Sequence, residues 1–295
     1  MPKVLVLFVY HIYNKRVHHF INKSIFSHPD VDFLIISNGG RPPPVLPPGV
    51  KFIMRNNVGY DFGGWSDALI TYNFKEGYDH FIFVNSSVMG PFLRPGFTGK
   101  WTDIYLNGLN DEIKLFGSTI NASASFSILE QAHVQSYMFA MDKYTLQYLI
   151  DTEIFSTTNI AKNFEDAVVN KEIKMSRKVI ENGWNIGSLL MQYKDIDFTF
   201  KKKPFNSYKI TWLDEIMQTK YRNVHWNEYQ LVFIKGNRLK IDSIEDLKKI
   251  DQSPMTAVTK TLNNFSVSNT VNKMKMSSGI TTPVKKPIKL FVGRR

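Results

Sequence analysis

The chain has 295 residues, no cysteine, 43% hydrophobic residues and a formal net charge of +11. That length suits one large domain or two small ones, and the lack of cysteine excludes disulfides and thiolate metal sites. Residues 253–295 carry eight Lys and Arg and no acid, which leaves residues 1–252 at about +3, so the excess charge is weak evidence for nucleic-acid binding.

Taken in order, Lys3–Tyr10 is an apolar run of strand length that ends in the polar aromatic cluster Tyr10-His11-Ile12-Tyr13. It is too short to span a bilayer and no small-residue cleavage site follows, so it reads as a first core strand and the chain as soluble and cytoplasmic. Lys15–Ser27 has helical spacing through Val17, Phe20, Ile21 and Ile25, and Val31–Ser37 is a second strand. Asn38-Gly39-Gly40 makes a turn, and Pro42–Pro48 is barred from helix and central strand by its prolines. Val50–Pro91 then gives strand Lys51–Arg55, a glycine-rich polar turn, helix Gly63–Phe74, strand His80–Val84 and a second polar turn, Asn85–Ser87. Further on, Trp101–Leu109 is predicted as helix, Ile113–Thr119 and His133–Met141 as strands, and Tyr144–Thr152 and Glu165–Asn182 as helices. Gly183 stops the last of these. Ile186–Tyr193 is predicted as a further helix, Leu231–Lys235 as a late strand and Ile244–Lys249 as a terminal helix. Asn121–Glu130 is small and polar enough to be mobile. Residues 253–295 read as a basic, low-complexity, disordered tail behind a domain of residues 1–252. Strands alternating with helices imply an α/β fold with a mostly parallel sheet.

Open α/β sheets collect ligands where strands end. The residues to look at first are therefore Asn57 and Asp61 after the third strand, and Asn85, Ser86 and Ser87 after the fourth. Familiar motifs are missing: no GxxxxGK[ST], no GxGxxG after a strand, no HExxH or histidine cluster, and no GxSxG. Asp61 lies between Tyr60 and Phe62 and ahead of two glycines, a setting that favours a site over a turn-stabilising acid. Asn85 and Ser87 have the alternative of satisfying turn backbone groups. Asp195-Ile-Asp197 reads as a loop between elements, the sequons at Asn22, Asn85 and Asn121 as chance, and the tryptophans Trp65, Trp101, Trp184 and Trp226 mostly as core.

Seven segments carry a resemblance: Tyr10–Tyr13, Arg55–Trp65 (RNNVGYDFGGW), Asn85–Pro91 (NSSVMGP), Lys114–Asn121 (KLFGSTIN), His133–Ala140 (HVQSYMFA), Glu172 to Ile186, and Glu228–Lys235 (EYQLVFIK). In that order they resemble the motifs of the rhamnan-synthesis-type glycosyltransferases, nucleotide-sugar transferases of the GT-A fold, a Rossmann-like single domain. The resemblance runs from about Val4 to Arg238, omits the tail, and is specific for the family rather than for the sugar. It implies transfer of a sugar, rhamnose or another hexose, from a nucleotide-diphosphate sugar to a glycan or glycoprotein acceptor. It also implies donor binding by Tyr10, His11, Tyr13, Arg55, Asn57, Gly59, Asp61, Asn85, Ser86, Ser87 and Lys235, with Asp61, Glu172 and His133 as catalytic candidates. Glu172 begins helix Glu172–Asn182 in this reading, where the macrodipole also explains an acid. Many GT-A enzymes hold Mn²⁺ or Mg²⁺ on a DxD turn after the fourth strand, but the turn here is Asn85-Ser86-Ser87. Two arrangements stay open: a metal on Asp61, or neutralisation of the diphosphate by Arg55, Lys235 or Arg238 with the backbone N–H groups of Gly63-Gly64. The missing acids also suggest a non-catalytic nucleotide-sugar- or glycan-binding module as an alternative. The basic tail suggests peripheral contact with an acidic membrane surface, and no specific nucleic-acid partner is implied.

Overall fold

The first strand decides the architecture. β1 (Val4–Tyr10) is buried along its whole length, which requires a partner on each edge and a layer on each face. Its edges pair in parallel with β2 (Val31–Asn38) and with β4 (His80–Asn85), and β3 (Lys51–Arg55) joins β2, also in parallel. The sheet is completed by β6 (Ile113–Gly117), β9 (Met138–Asp142) and β10 (Asn185–Ser188), in the order β10-β6-β9-β4-β1-β2-β3. Between them lie the two-residue strands β5 (Val88–Met89), β7 (Ile120–Asn121) and β8 (His133–Val134). β9 runs antiparallel to both β4 and β6, and β10 is parallel to β6. The fold is thus α/β with a mixed, mostly parallel seven-stranded sheet. The described residues are 2–122, 132–208, 220–221, 224–225, 228–239 and 245–246 of the computed structural model, all within the unit Met1–Asp246. The predicted segments 253–295, most of 121–130 and of 244–249, and Trp226 lie outside them.

Both faces of the sheet are covered by aromatic packing. On one face Trp65 is fully buried, donates its Nε1–H to the Leu7 carbonyl at 3.3 Å, and meets Phe83 and Phe139 edge-on. On the other, Phe8 stacks on Phe20 of α1 (Lys15–Lys23) at 4.0 Å, and Trp101 of α3 (Trp101–Leu106) meets Phe233 at 5.0 Å. Burying such rings supplies about 2–3 kcal/mol each from apolar area. α1 is shorter than its spacing predicts because Asn14 caps its start and Ser24 ends it.

Four predicted elements need correction. The helix expected from Gly63 begins earlier, as α2 (Tyr60–Ser66), and widens into a π-turn over Asp67–Thr71. Gly59 at φ 76° and Tyr60 at φ 58° turn the chain into it, so Asp61 and both glycines lie in the helix rather than before it. The strand predicted over His133–Met141 is broken into β8 and β9 by Gln135–Tyr137, where the Gln135 N–H is held by the Thr119 carbonyl. The helix predicted over Ile186–Tyr193 is instead edge strand β10 followed by one 3₁₀ turn, Met191–Tyr193. Gly183, at φ 86°, ends the preceding helix, and the Asn185 Oδ1 accepts from the N–H groups of Ile186 and Phe198, which steers the chain back along β6. Last, Leu231–Lys235 is a helical turn, Glu228–Leu231, then a two-residue strand, Ile234–Lys235, paired antiparallel with β5.

Candidate functional site

β1, β2, β3, β4 and β6 all end at one edge of the sheet, where β9 begins. The chain runs out from β1 through β2 to β3 and then crosses back to β4, so β1 and β4 flank a topological switch point, the crevice in which such sheets bind ligands. The polar strand ends converge there.

The first turn is held by a clamp. Arg55, at the end of β3, donates from Nε to Asp67 Oδ2 at 2.5 Å, from Nη1 to Asn38 Oδ1 at 2.7 Å and from Nη2 to the Val58 carbonyl at 3.0 Å. Asn38, buried at the end of β2, donates in turn to the Tyr60 carbonyl at 2.7 Å. Gly63 is required by space, since a Cβ there would lie 2.0 Å from the Val58 carbonyl oxygen. Arg55, a candidate phosphate cation by sequence, has its charge matched by Asp67 and its fork committed to the turn. Gly59 serves the turn through its backbone conformation, and Asn57 is exposed. Asn38, which sequence reading took only as part of a turn, is the hub of the arrangement.

The second turn joins the first through one side chain. Asn85 donates from Nδ2 to Asp61 Oδ2 at 3.0 Å, and its Oδ1 accepts the Ser87 N–H at 2.9 Å. Ser86 contributes its carbonyl to Arg16 Nε at 3.3 Å. From the end of β1, His11 Nδ1 lies 2.5 Å from the Asn38 carbonyl, the Tyr10 hydroxyl donates to the Arg41 carbonyl, and the Tyr13 hydroxyl lies 3.0 Å from His18 Nδ1. Tyr10 and Tyr13 thus shape the wall through their own partners, while His11 lies near enough to Asp61 for its charge to act there.

Glu172 sits in a π-turn, Val168–Ile173, inside one continuous helical stretch from Phe164 to Glu181. It is therefore not at a helix start, and the macrodipole does not account for it. Its Oε1 pairs with His133 Nε2 at 3.2 Å, and its Oε2 accepts the Ser136 N–H at 3.2 Å and the Ser136 hydroxyl. π-Turns of this kind recur at functional sites, and the site has two: this one, which contains Glu172, and Asp67–Thr71, which continues the helix that carries Asp61.

The two carboxyls are pushed in opposite directions. Burial raises Asp61 to about 6, with the nearby Glu172 charge adding to it, against the lowering influence of the Asn85 hydrogen bond, Lys235 and His11. Burial also pushes Glu172 upward, but His133, Lys235 and Ser136 overcome it and hold that carboxyl at about 2. Glu172 is thus a fixed anion, and Asp61 is a carboxyl poised near neutrality. Lys235 acts on both, and its ammonium lies 5.9 Å from the Tyr137 ring centroid. Ser136 and Tyr137, between β8 and β9, escaped residue-level reading, although they lie inside the segment His133–Ala140.

Among the described residues, no three or more His, Asp and Glu side chains converge as a metal site. Asp197, of the literal DxD, instead accepts from the N–H and hydroxyl of Thr199 and closes its own loop. Trp184 packs on Tyr148 at 5.4 Å. A concavity of about 460 Å³ lined by Lys75, Tyr78, Asp79, Lys143 and Gln147 opens at the opposite edge of the sheet. Among the described residues, no helix is long and apolar enough to cross a membrane.

Comparison with known proteins bears on this arrangement. Two curated relatives from Vibrio anguillarum, each named virulence protein VirA, are 31% identical over 123 residues, which is 40% of this chain and 34% of theirs. The match thus spans about a third of the relatives' length. The family model described as rhamnan synthesis protein F matches residues 50–261, which takes in both polar turns, both carboxylates and Lys235. The chain belongs to the rhamnan synthesis protein F family.

Proposed function

We propose that the chain is a glycosyltransferase of GT-A type that moves a sugar from a nucleotide-diphosphate donor to a glycan acceptor. The observation that carries this reading is the Asp61–Asn85 pair at the β1/β4 switch point, in a chain of a rhamnan-synthesis family. In the transfer, the bond from the anomeric carbon to the β-phosphate oxygen breaks and its electron pair leaves on the diphosphate. The acceptor oxygen bonds to that carbon and gives up its proton. Asp61, raised to about 6, has the basicity that suits proton transfer near neutral pH. Glu172, held at about 2 and occupied on both oxygens, is a poor base and serves to position His133 and Ser136. His11, Asn57, Asn85 and Ser87 line the donor side.

The test is incubation of the full chain with UDP-, GDP- and dTDP-sugars and an oligosaccharide acceptor, following release of the nucleoside diphosphate. One donor class should support protein-dependent release that Asp61→Asn abolishes. Binding without release, in every combination, favours instead a nucleotide-sugar-binding module, which the missing carboxylates at Asn85-Ser86-Ser87 would suit. No binding of any donor overturns both readings.

A further inference from the structure

The turn after β4 is the place where a divalent cation would have to bridge protein and diphosphate, and its donor set does not suit one. A hard dication asks for several oxygen ligands, carboxylates foremost. Here Asp61 is the carboxylate at the turn. Asn85 presents its NH₂ to Asp61 and commits its oxygen to the Ser87 N–H. Ser86 and Ser87 offer neutral hydroxyls only.

The same turn is instead supplied with a fixed cation from a distant part of the sequence. Lys235 is registered opposite Val88, and its neighbour Ile234 opposite Met89, so the segment is paired to the backbone just beyond Asn85-Ser86-Ser87. Asn237 N–H adds a contact to the Ser87 carbonyl at 3.4 Å. The segment is anchored from behind. Phe233 is fully buried against Trp101, and the Leu231 carbonyl accepts from the Tyr105 hydroxyl at 3.0 Å and from Ser118 Oγ at 3.2 Å. The Lys235 ammonium lies over the Tyr137 ring, 5.9 Å from its centroid, and its charge is felt at both Asp61 and Glu172. The Lys235 ammonium offsets part of the charge of these carboxylates and sets a positive group beside the turn, where an anion can meet it.

We infer that Lys235, and not a divalent cation, neutralises the leaving diphosphate at this site. The inference rests on the donor-transfer reading above and specifies its electrostatics. Lys235 makes no bond to the transferred sugar; its ammonium meets the charge that develops on the β-phosphate oxygens as the bond to the sugar breaks.

Calorimetric binding of UDP, GDP and dTDP to the full chain, in EDTA and in Mn²⁺, separates the outcomes. Whichever diphosphate binds should do so with Kd values within about threefold in the two buffers. Lys235→Met should weaken it at least about tenfold, as expected for loss of a charge-assisted contact, with the matching nucleoside affected far less. Lys235→Arg should stay within about threefold of the parent. Thermal melts of the variants, and the unchanged nucleoside affinity, guard against misfolding. Binding that is abolished by EDTA and restored by Mn²⁺ overturns the inference while leaving the donor reading intact, as does a Lys235→Met protein that binds like the parent. No binding of any diphosphate in either buffer overturns the donor reading, and the inference with it.

Discussion

Asp61→Asn should make the folded protein more stable at alkaline pH. The carboxyl lies at about 6 in the folded chain against an ordinary 3.8. Above about pH 6 the fold therefore holds an ionised group in a place that disfavours the charge, and that cost is fully present. Between about 6 and 3.8 the folded chain keeps a proton that the unfolded chain releases, so the cost fades as pH falls. Below 3.8 both states are protonated and it is gone. The full displacement corresponds to about 3 kcal/mol. Water reaching the partly exposed side chain lessens that, so a gain of about 1–2 kcal/mol is expected at pH near 8. Asparagine can still accept from Asn85 Nδ2, so the hydrogen bond between the two turns survives. Urea unfolding followed by tryptophan fluorescence, at pH near 8, 6 and 4, measures the effect as a rise in midpoint at constant slope. A variant less stable than the parent at pH near 8, or a gain that does not shrink toward pH 4, would refute the assignment of Asp61 as a strained carboxylate. Stabilisation together with loss of turnover is the usual signature of a residue kept for function.

Two further predictions concern the frame around that residue. Glu172 is held at about 2 against an ordinary 4.5, so its stabilisation is present above pH 4.5 and is lost as pH falls through 2. Glu172→Gln should cost about 1–3 kcal/mol near neutral pH by breaking the pairing with His133 and Ser136, and should flatten the acid limb of the stability curve; an unchanged acid limb counts against the pairing. Arg55→Lys keeps the charge but loses the fork that binds Asp67, Asn38 and Val58 together. It should lower the urea midpoint by about 1–2 kcal/mol and raise proteolysis between Asn56 and Gly59; protection equal to the parent would show that the clamp is dispensable.

Patterns local in the chain were legible from residues alone. The unbroken apolar run within Lys3–Tyr10 reads as a core strand, and burial on both faces is what removes alternation from it. Asn85-Ser86-Ser87 and Arg55–Asp61 were placed at strand ends by the strands before them, and the ordered motifs pointed to the family that the chain belongs to. Edge strand β10 was not legible. Asn185–Ser188 has no strand pattern of its own and becomes one through pairing with β6 and through the Asn185 side chain, both of which are tertiary contacts.

The roles of charged residues were decided by the fold for the same reason. Arg55 and Lys235 are equally plausible phosphate cations as letters in a chain. Only the folded structure shows Arg55 matched by Asp67, 12 residues on, while Lys235 is carried by its pairing with β5 to the turn that ends β4. Likewise, Asp61 and Glu172 have similar intrinsic acidities and separate only when packing gives Glu172 the partners His133 and Ser136, while burial prevails over the Asn85 hydrogen bond at Asp61. Sequence sets which groups can ionise and which segments can be strands. Electrostatic character depends on distance and desolvation, and those exist only once residues far apart in the chain are brought together.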